Sequence, residues 1–368
     1  MFVLAGMAIA ATSSAQIPDL MNALDSGGRA MGIGGATYVT DSNTLSAAYN
    51  PAGLAYITAP TVGLSFRNLP TSTTTISGEF QDPDFSSDVS LGKFALTHVG
   101  YAFPAMGGTV GISYNVSGYL RDETTGTGLP NGGLTVNNYV ETTRAQTDMF
   151  TLSYGKRMGT TNWGVGLILA NQYVASSESY TLFNGNTPVG TNNSDVSGNS
   201  TGFGLIFGLQ GAASSTPNTT WGFSVRTPID LNNNNETSGV FDRIPGRVSV
   251  GFAHRSNPLN GTDFMVYGAQ ADYYFGGQNN KVIPRKNHIN FGAGVEYNLH
   301  RFGGRIPVRL GFAAISSGGD GFDSRNAFTF GLGYRPNNSP LTVDLNFAKP
   351  TGRGPFDMAL SLTYRALK

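Results

Sequence analysis

From Pro60 to the end of the chain, apolar residues alternate with polar or very small ones at period two. In "AFTFGLGYR", Phe328, Phe330, Leu332 and Tyr334 alternate with Thr329, Gly331, Gly333 and Arg335. "LTVDLNF" (341–347), "DMALSLTYRA" (357–366) and "VRLGF" (308–312) repeat the pattern. Alternation of this kind describes β-strands with one apolar face, and no stretch keeps a helical period. Strands are expected at 61–69, 93–103, 109–120, 143–157, 162–175, 200–212, 220–230, 244–255, 263–275, 288–299, 305–315, 326–335, 341–348 and 357–367. That makes about fourteen, an even number, as closed antiparallel outer-membrane barrels have. Connections at 104–108, 158–161, 213–219, 256–262, 300–304 and 336–340 are short. Those at 70–92, 121–142, 176–199, 231–243, 276–287 and 316–325 are longer and polar. Short turns alternating with long loops are the signature of a barrel with its turns in the periplasm and its loops outside.

Composition separates this reading from a soluble sandwich. Only 12% of the 368 residues are charged, and the non-apolar face of the strands is mostly Gly, Ser, Thr and Asn. A water-exposed outer face needs about twice that charge. Lipid contact explains the pattern, because backbone that spans a bilayer must pair fully in a closed barrel. With 23 basic and 23 acidic residues the formal net charge is zero, which excludes a nucleic-acid partner on electrostatic grounds. There is no cysteine, hence no disulfide scaffold and no thiolate metal site. The apolar run Phe2–Ala11, followed by Ser13-Ser14-Ala15, reads as a secretory leader over residues 1–15. The fold expected is all-β: a transmembrane barrel over 60–368, with residues 16–59 forming a plug, or hatch, in its lumen. A lumen about fourteen strands around is too wide for its own side chains to fill.

The segment "GGRAMGIGGATYVTDSNTLSAAYNPAGLAYI" (27–57) suits a plug, since small, nearly uncharged residues pack closely against a wall. Asn50 and Pro51 are expected to make a tight turn there. Gly32, Gly34 and Gly35 are expected to let backbone pass where a Cβ would collide. This segment resembles the N-terminal hatch of the FadL/OmpP1/TodX family of outer-membrane transporters for hydrophobic compounds, most specifically at Asn50-Pro51-Ala52. The stretches 225–255, with its Ile244-Pro245 step, and 308–335 are similar to the same family. Two features depart from the family pattern: shorter loops, and a last strand ending Tyr364-Arg365-Ala366-Leu367-Lys368 without a terminal aromatic residue.

The resemblance implies uptake of hydrophobic small molecules, such as long-chain fatty acids or hydrocarbons, across a bacterial outer membrane. A hatch would gate the lumen, and ligand would leave sideways beside an inward kink. The partners implied are the ligand and the surrounding lipid and lipopolysaccharide; no cofactor is implied. PorV-like barrels share the hatch pattern and serve type IX secretion as adaptors, which implies the alternative of binding exported proteins through the outer loops.

No catalytic constellation is present. His98, His254, His288 and His300 show no metal-ligand spacing and read as loop or interface residues. No nucleophile elbow or phosphate-binding loop stands in a strand–turn–helix context. Asp82, Asp84 and Asp88, and Asp320 with Asp323, read as solvated loop acids, since their spacing completes no calcium ligand set. With the apolar face toward lipid, Arg226, Arg309, Arg335 and Arg365 turn inward, together with Asp272, Glu296 and Asp344. Such charges either pair across strands, or Arg226, Arg309 and Arg335 hold a ligand carboxylate through their two-pronged donors.

Overall fold

The computed structural model describes residues 28–79, 82–233, 242–279, 285–319, 324–351 and 356–366. The expected leader, residues 16–27 of the expected hatch, and Asp320 and Asp323 lie outside the described residues. Fourteen antiparallel strands form a closed ring. In chain order they are β1 Thr61–Glu79, β2 Asp82–Ala105, β3 Gly108–Gly126, β4 Leu134–Met158, β5 Thr161–Asn184, β6 Thr187–Ala213 and β7 Thr216–Arg226. They continue as β8 Gly246–Arg255, β9 Phe264–Phe275, β10 His288–Arg301, β11 Gly304–Ile315, β12 Arg325–Pro336, β13 Leu341–Pro350 and β14 Asp357–Arg365. Each strand pairs with its chain neighbours, and β1 closes the ring on β14.

The alternation in the sequence is the alternation of the wall. Along β12 the exposed Phe328 (61%), Phe330 (40%) and Leu332 (53%) interleave with buried Ala327 and Thr329. Phe150, Leu152, Val165, Leu167, Phe203, Leu205, Phe252, Phe291 and Leu310 are likewise exposed, and together they form an apolar band around the barrel. Inward positions hold buried polar groups such as Ser65, Ser153, Gln210, Ser249, Glu296 and Arg309. An apolar outside and a polar inside suit a ring immersed in lipid. The chain turns back tightly at Met106-Gly107 and Phe302-Gly303, where all four residues have positive φ. This is the type I′ geometry that matches strand twist. Outward-facing Tyr154 and Tyr334 steady these turns by donating to the carbonyls of Met106 and Phe302, each at 2.8 Å.

The ring is uneven. Strands β1 to β6 run 19 to 27 residues, whereas β7 to β14 run 9 to 14. Crossing a bilayer takes about 9–11 tilted residues, so the first six strands stand well beyond the lipid. This corrects the expectation of long loops at 70–92, 121–142 and 176–199, which are mostly strand. Outside the membrane both faces of a strand can be polar, so the hydrophobic contrast vanishes while Thr and Ser continue to favour pairing. The run Thr73-Thr74-Thr75, for example, pairs with Asp88-Ser87-Ser86. Asp84 and Asp88 therefore lie in a strand, as does the backbone of Asp82. All four histidines are also in strands, and His98 is buried inside.

One stretch of wall is irregular. Strand β2 pairs with β3 only from His98↔Asn115 to Ala105↔Gly108. Beyond that point β2 stays with β1, while Ser72–Ile76 of β1 pairs in parallel with Asp122–Gly126 of β3. The β1–β2 hairpin thus rolls over, and β1 and β2 exchange places beside β3. Bulges at Ser65/Phe66, Leu69/Thr71 and Val116/Gly118 absorb the twist. Buried Leu69, Val116 and Tyr119, with Ala95 and Tyr114 against them, fill the crossing.

The outward assignment is tested by charge. Phe328→Arg is expected to cost roughly 2–4 kcal/mol of stability in a bilayer, the penalty of an arginine near the midplane of a barrel's lipid face. Equilibrium unfolding from lipid vesicles measures it, and a cost near zero would place Phe328 elsewhere.

Candidate functional site

The chain before β1 lies inside the ring. It consists of helix α1 Gly28–Gly32, a turn over 33–40, helix α2 Ser46–Tyr49 and a 3-10 helix Pro51–Tyr56. None of these pieces is long enough to be stable alone, so the wall must hold them. Asn50 organises the second half. Its Nδ2 donates to Val39 O (2.6 Å) and to Leu209 O of β6 (3.0 Å), while its Oδ1 caps the next turn by accepting from Ala52 N. Pro51 follows at the first helical position, where no donor is needed. Tyr38 stacks on Tyr49 at 4.8 Å and ties the two halves together.

What permits this fit is a belt of inward-facing glycines. A Cβ on Gly164 of β5 would meet the backbone of Pro51 and Ala52, and one on Gly155 of β4 the carbonyl of Pro51. The same holds for Gly222 against Val39 O, Gly292 against Gly34 O, and Gly311 against Ile33 and Gly34. The belt is in register: Gly63 pairs with Gly100, Gly155 with Gly164, Gly164 with Gly208, Gly222 with Gly251, and Gly268 with Gly294. From the inner side, Gly34 (φ 70°) abuts the backbone of Phe312, and Gly32 abuts Asn346. Gly35 also has a positive φ, 79°, and its backbone lies where a Cβ on Gly292 would meet it. Polar wall residues take up the remaining backbone groups. Ser153 donates to Ala47 O (2.7 Å), Gln210 to Thr40 O (2.6 Å) and Thr329 to Gly32 O (3.1 Å), while Gln270 accepts from Val39 N (3.0 Å).

A charge cluster locks the segment on one side. Arg29 of α1 donates to Glu296 of β10 (2.8 Å) and to Asp41 (2.7 Å). Arg309 of β11 pairs with the same Glu296 (2.7 Å) and with Asp344 of β13 (2.6 Å). Burial pushes the Asp41 carboxyl above the usual carboxylate range, and Arg29 opposes the shift. Arg309 is fully buried, so its fork is occupied by the protein's own acids. Arg226 sits in an apolar nest of Met149, Ile168, Ile206 and Ile229 and donates to Pro245 O (2.9 Å). The three arginines read together from the sequence therefore do not form one site. Arg335 alone reaches open volume, with Glu296 4.0 Å away. Arg29 and Asp41 were missed, although they are the only charges between residues 28 and 57 and so carried a signal.

Strands β13 and β14 contain no glycine, and there helix α1 packs on side chains of the wall, with Met31 in one apolar cluster with Ala348 and Ala359. Asn346 donates to Gly28 O (2.9 Å) and Ser361 accepts from Gly28 N (2.6 Å). Beside this contact lies a polar cavity of about 460 Å³, lined by residues that include Thr44, Ser65, His98, Arg335, Asp344 and Thr363. His98 contacts Thr44 of the inner segment (2.9 Å) and Asn115 of β3 (2.7 Å), at the last β2–β3 pair before the strand exchange. Among the described residues, no group of acids and histidines is arranged to hold a metal ion.

No protein-family model matches the sequence, and no curated protein does. Solved structures do. A Pseudomonas aeruginosa FadL homologue superposes with a TM-score of 0.63 at 16% identity, covering 92% of this chain and 97% of its own. The Ralstonia pickettii toluene transporter TbuX gives 0.56 at 13% identity over 94% and 100% of the two chains. The Pseudomonas putida toluene transporter TodX gives 0.58 at 10% over 92% and 98%. The chain has the FadL-type fold, that of an outer-membrane barrel.

Gly164→Ala is expected to unseat the inner segment and raise ion conductance in planar bilayers, with the barrel still folded. Gly190→Ala, where a Cβ meets nothing within 4 Å, should leave conductance unchanged. Glu296→Gln leaves Arg29 and Arg309 without their shared carboxylate and is expected to cost roughly 3–5 kcal/mol, the penalty of breaking a buried pair. Urea unfolding measures that cost.

Proposed function

We propose that this chain is an outer-membrane channel for hydrophobic small molecules, such as long-chain fatty acids or hydrocarbons, with residues 28–57 as its hatch. The observation that carries the reading is the conjunction of a seated inner segment with a break in the wall at the same level. Glycines on twelve of the fourteen strands bring the inner segment against the wall, so passage straight down the axis is obstructed. Beside it, β2 and β3 part above His98 and Asn115, and the crossing is filled by apolar Leu69, Val116 and Tyr119. An apolar molecule in the lumen is better solvated by such a crossing, and by the lipid behind it, than by water.

The geometry divides the roles. Rearrangement at the strand exchange opens the side route, and His98 couples that point to the hatch through Thr44. Arg335, facing the polar cavity, is the arginine available to steady a ligand head group. Arg309 and Arg226 hold the wall and the inward-turned chain after β7.

The test fills the crossing. Ala95→Phe is expected to slow saturable uptake of a hydrophobic probe into proteoliposomes roughly tenfold, about 1.4 kcal/mol of barrier. Ion conductance should not change. Equal uptake by this variant and the intact protein would eliminate the side route. No saturable uptake by the intact protein, together with capture of exported protein through the outer loops, would instead establish the secretion-adaptor reading.

A further inference from the structure

The periplasmic end of the lumen carries a row of arginines, of which Arg157 lies over Tyr56 of the inner segment and Arg335 lies 4.0 Å from Glu296. Arg157, Arg255, Arg305, Arg335 and Arg365 lie at strand ends on that side, at inward positions of the alternation. Two of them share one aromatic ring. The guanidinium carbon of Arg255 (β8) lies 3.8 Å from the ring centre of Phe264 (β9), and that of Arg305 (β11) lies 5.0 Å from it. Phe264 is buried, and both guanidinium groups lie against its ring. The two cations are closer together than the ~10 Å screening length, so they repel.

Among the described residues no carboxylate bonds to either of them, and Glu296 acts on Arg305 only through space. Arg305 Nε is buried without an acceptor. Arg335 and His300 stand directly opposite Arg305 in the strand register and add no negative charge. Asp263, next to Phe264 in the chain, is already engaged by His300 N (2.8 Å), by Tyr297 Oη (3.4 Å) and by Arg301 at 3.8 Å. Glu296 is occupied by Arg29 and Arg309. Holding two cations against one ring is unfavourable unless an anion bridges them, and a guanidinium fork presents the parallel donors an oxyanion accepts. The ring between the forks offers an apolar surface beside the charge.

We infer that Arg255 and Arg305, on either side of the contact with Phe264, form an oxyanion-binding site at the periplasmic mouth. It takes the carboxylate or phosphate of an amphiphile whose chain lies along the ring. The inference deepens the transport reading and rests on it: an anionic amphiphile that has left by the side route and reached the periplasmic leaflet would be held at the mouth, whereas a neutral hydrocarbon would not.

Isothermal titration of the full chain in detergent tests the site, with octanoate, octyl phosphate, octanol and inorganic phosphate as probes. Both amphiphilic anions are expected to bind at least tenfold tighter than octanol, and Arg255→Gln/Arg305→Gln should abolish the difference. Arg255→Gln alone, at an exposed side chain, should lower it severalfold and guards against misfolding of the double variant. Inorganic phosphate binding as tightly as octyl phosphate would overturn the amphiphile assignment. Anions no tighter than octanol, or unaffected by the double variant, would overturn the site altogether. Toluene uptake into proteoliposomes by the double variant separates the two readings. Retained uptake with lost anion preference supports the site, and retained uptake with no anion preference in the intact protein sinks the site but not the channel.

Discussion

The structure depends on contact between backbone and backbone. A barrel wall normally meets its contents through side chains, which set a spacing of several ångströms. Here glycine after glycine removes that spacer, so the inner segment lies directly on the strands. Dispersion forces are short-ranged, and a gap of half an ångström forfeits much of a contact. A segment with little hydrophobic bulk can therefore be held only if the approach is this close. The small residues of 28–57 and the glycines of the wall answer one another, and neither makes sense alone. The charge cluster around Glu296 supplements the fit and fixes its register: Arg29 must sit within reach of a carboxylate that Arg309 also needs.

The sequence exposed the lipid-facing half of this design well. Phe328, Phe330 and Leu332 contrast sharply with Thr329 and Gly331 because one side of the strand faces hydrocarbon and the other does not. Where the wall leaves the membrane the contrast disappears, and 71–77 read as loop although it is strand. The glycine belt was visible only as an excess of glycine, 50 residues, because its meaning lies in cross-strand register. The same holds for Arg309. Its partner Glu296 sits directly opposite it on β10, a fact that alternation within one strand cannot supply. Asn50 was legible because its turn chemistry is local, and its further bond to Leu209 was not, since 159 residues separate the two.

Cost and placement of charge follow one rule inside this barrel. Burying an arginine is expensive unless carboxylates compensate it. Those deepest in the wall, Arg67 and Arg309, meet that condition, with Arg67 held by Asp357 and Arg309 by Glu296 and Asp344. Toward the periplasmic mouth the requirement relaxes, since water reaches the forks, and arginines outnumber acids there.

The ring closes where β1 meets β14, and that ladder contains seven residue pairs, fewer than any other antiparallel ladder of the fourteen strands. The polar cavity lies behind this seam, lined by Gly63 and Ser65 of β1 and by Ser361 and Thr363 of β14. The residues of the inner segment are joined to β1 by only a few positions and precede it in the chain. They can reach the glycine belt while that seam is still undone, and once it closes they are enclosed.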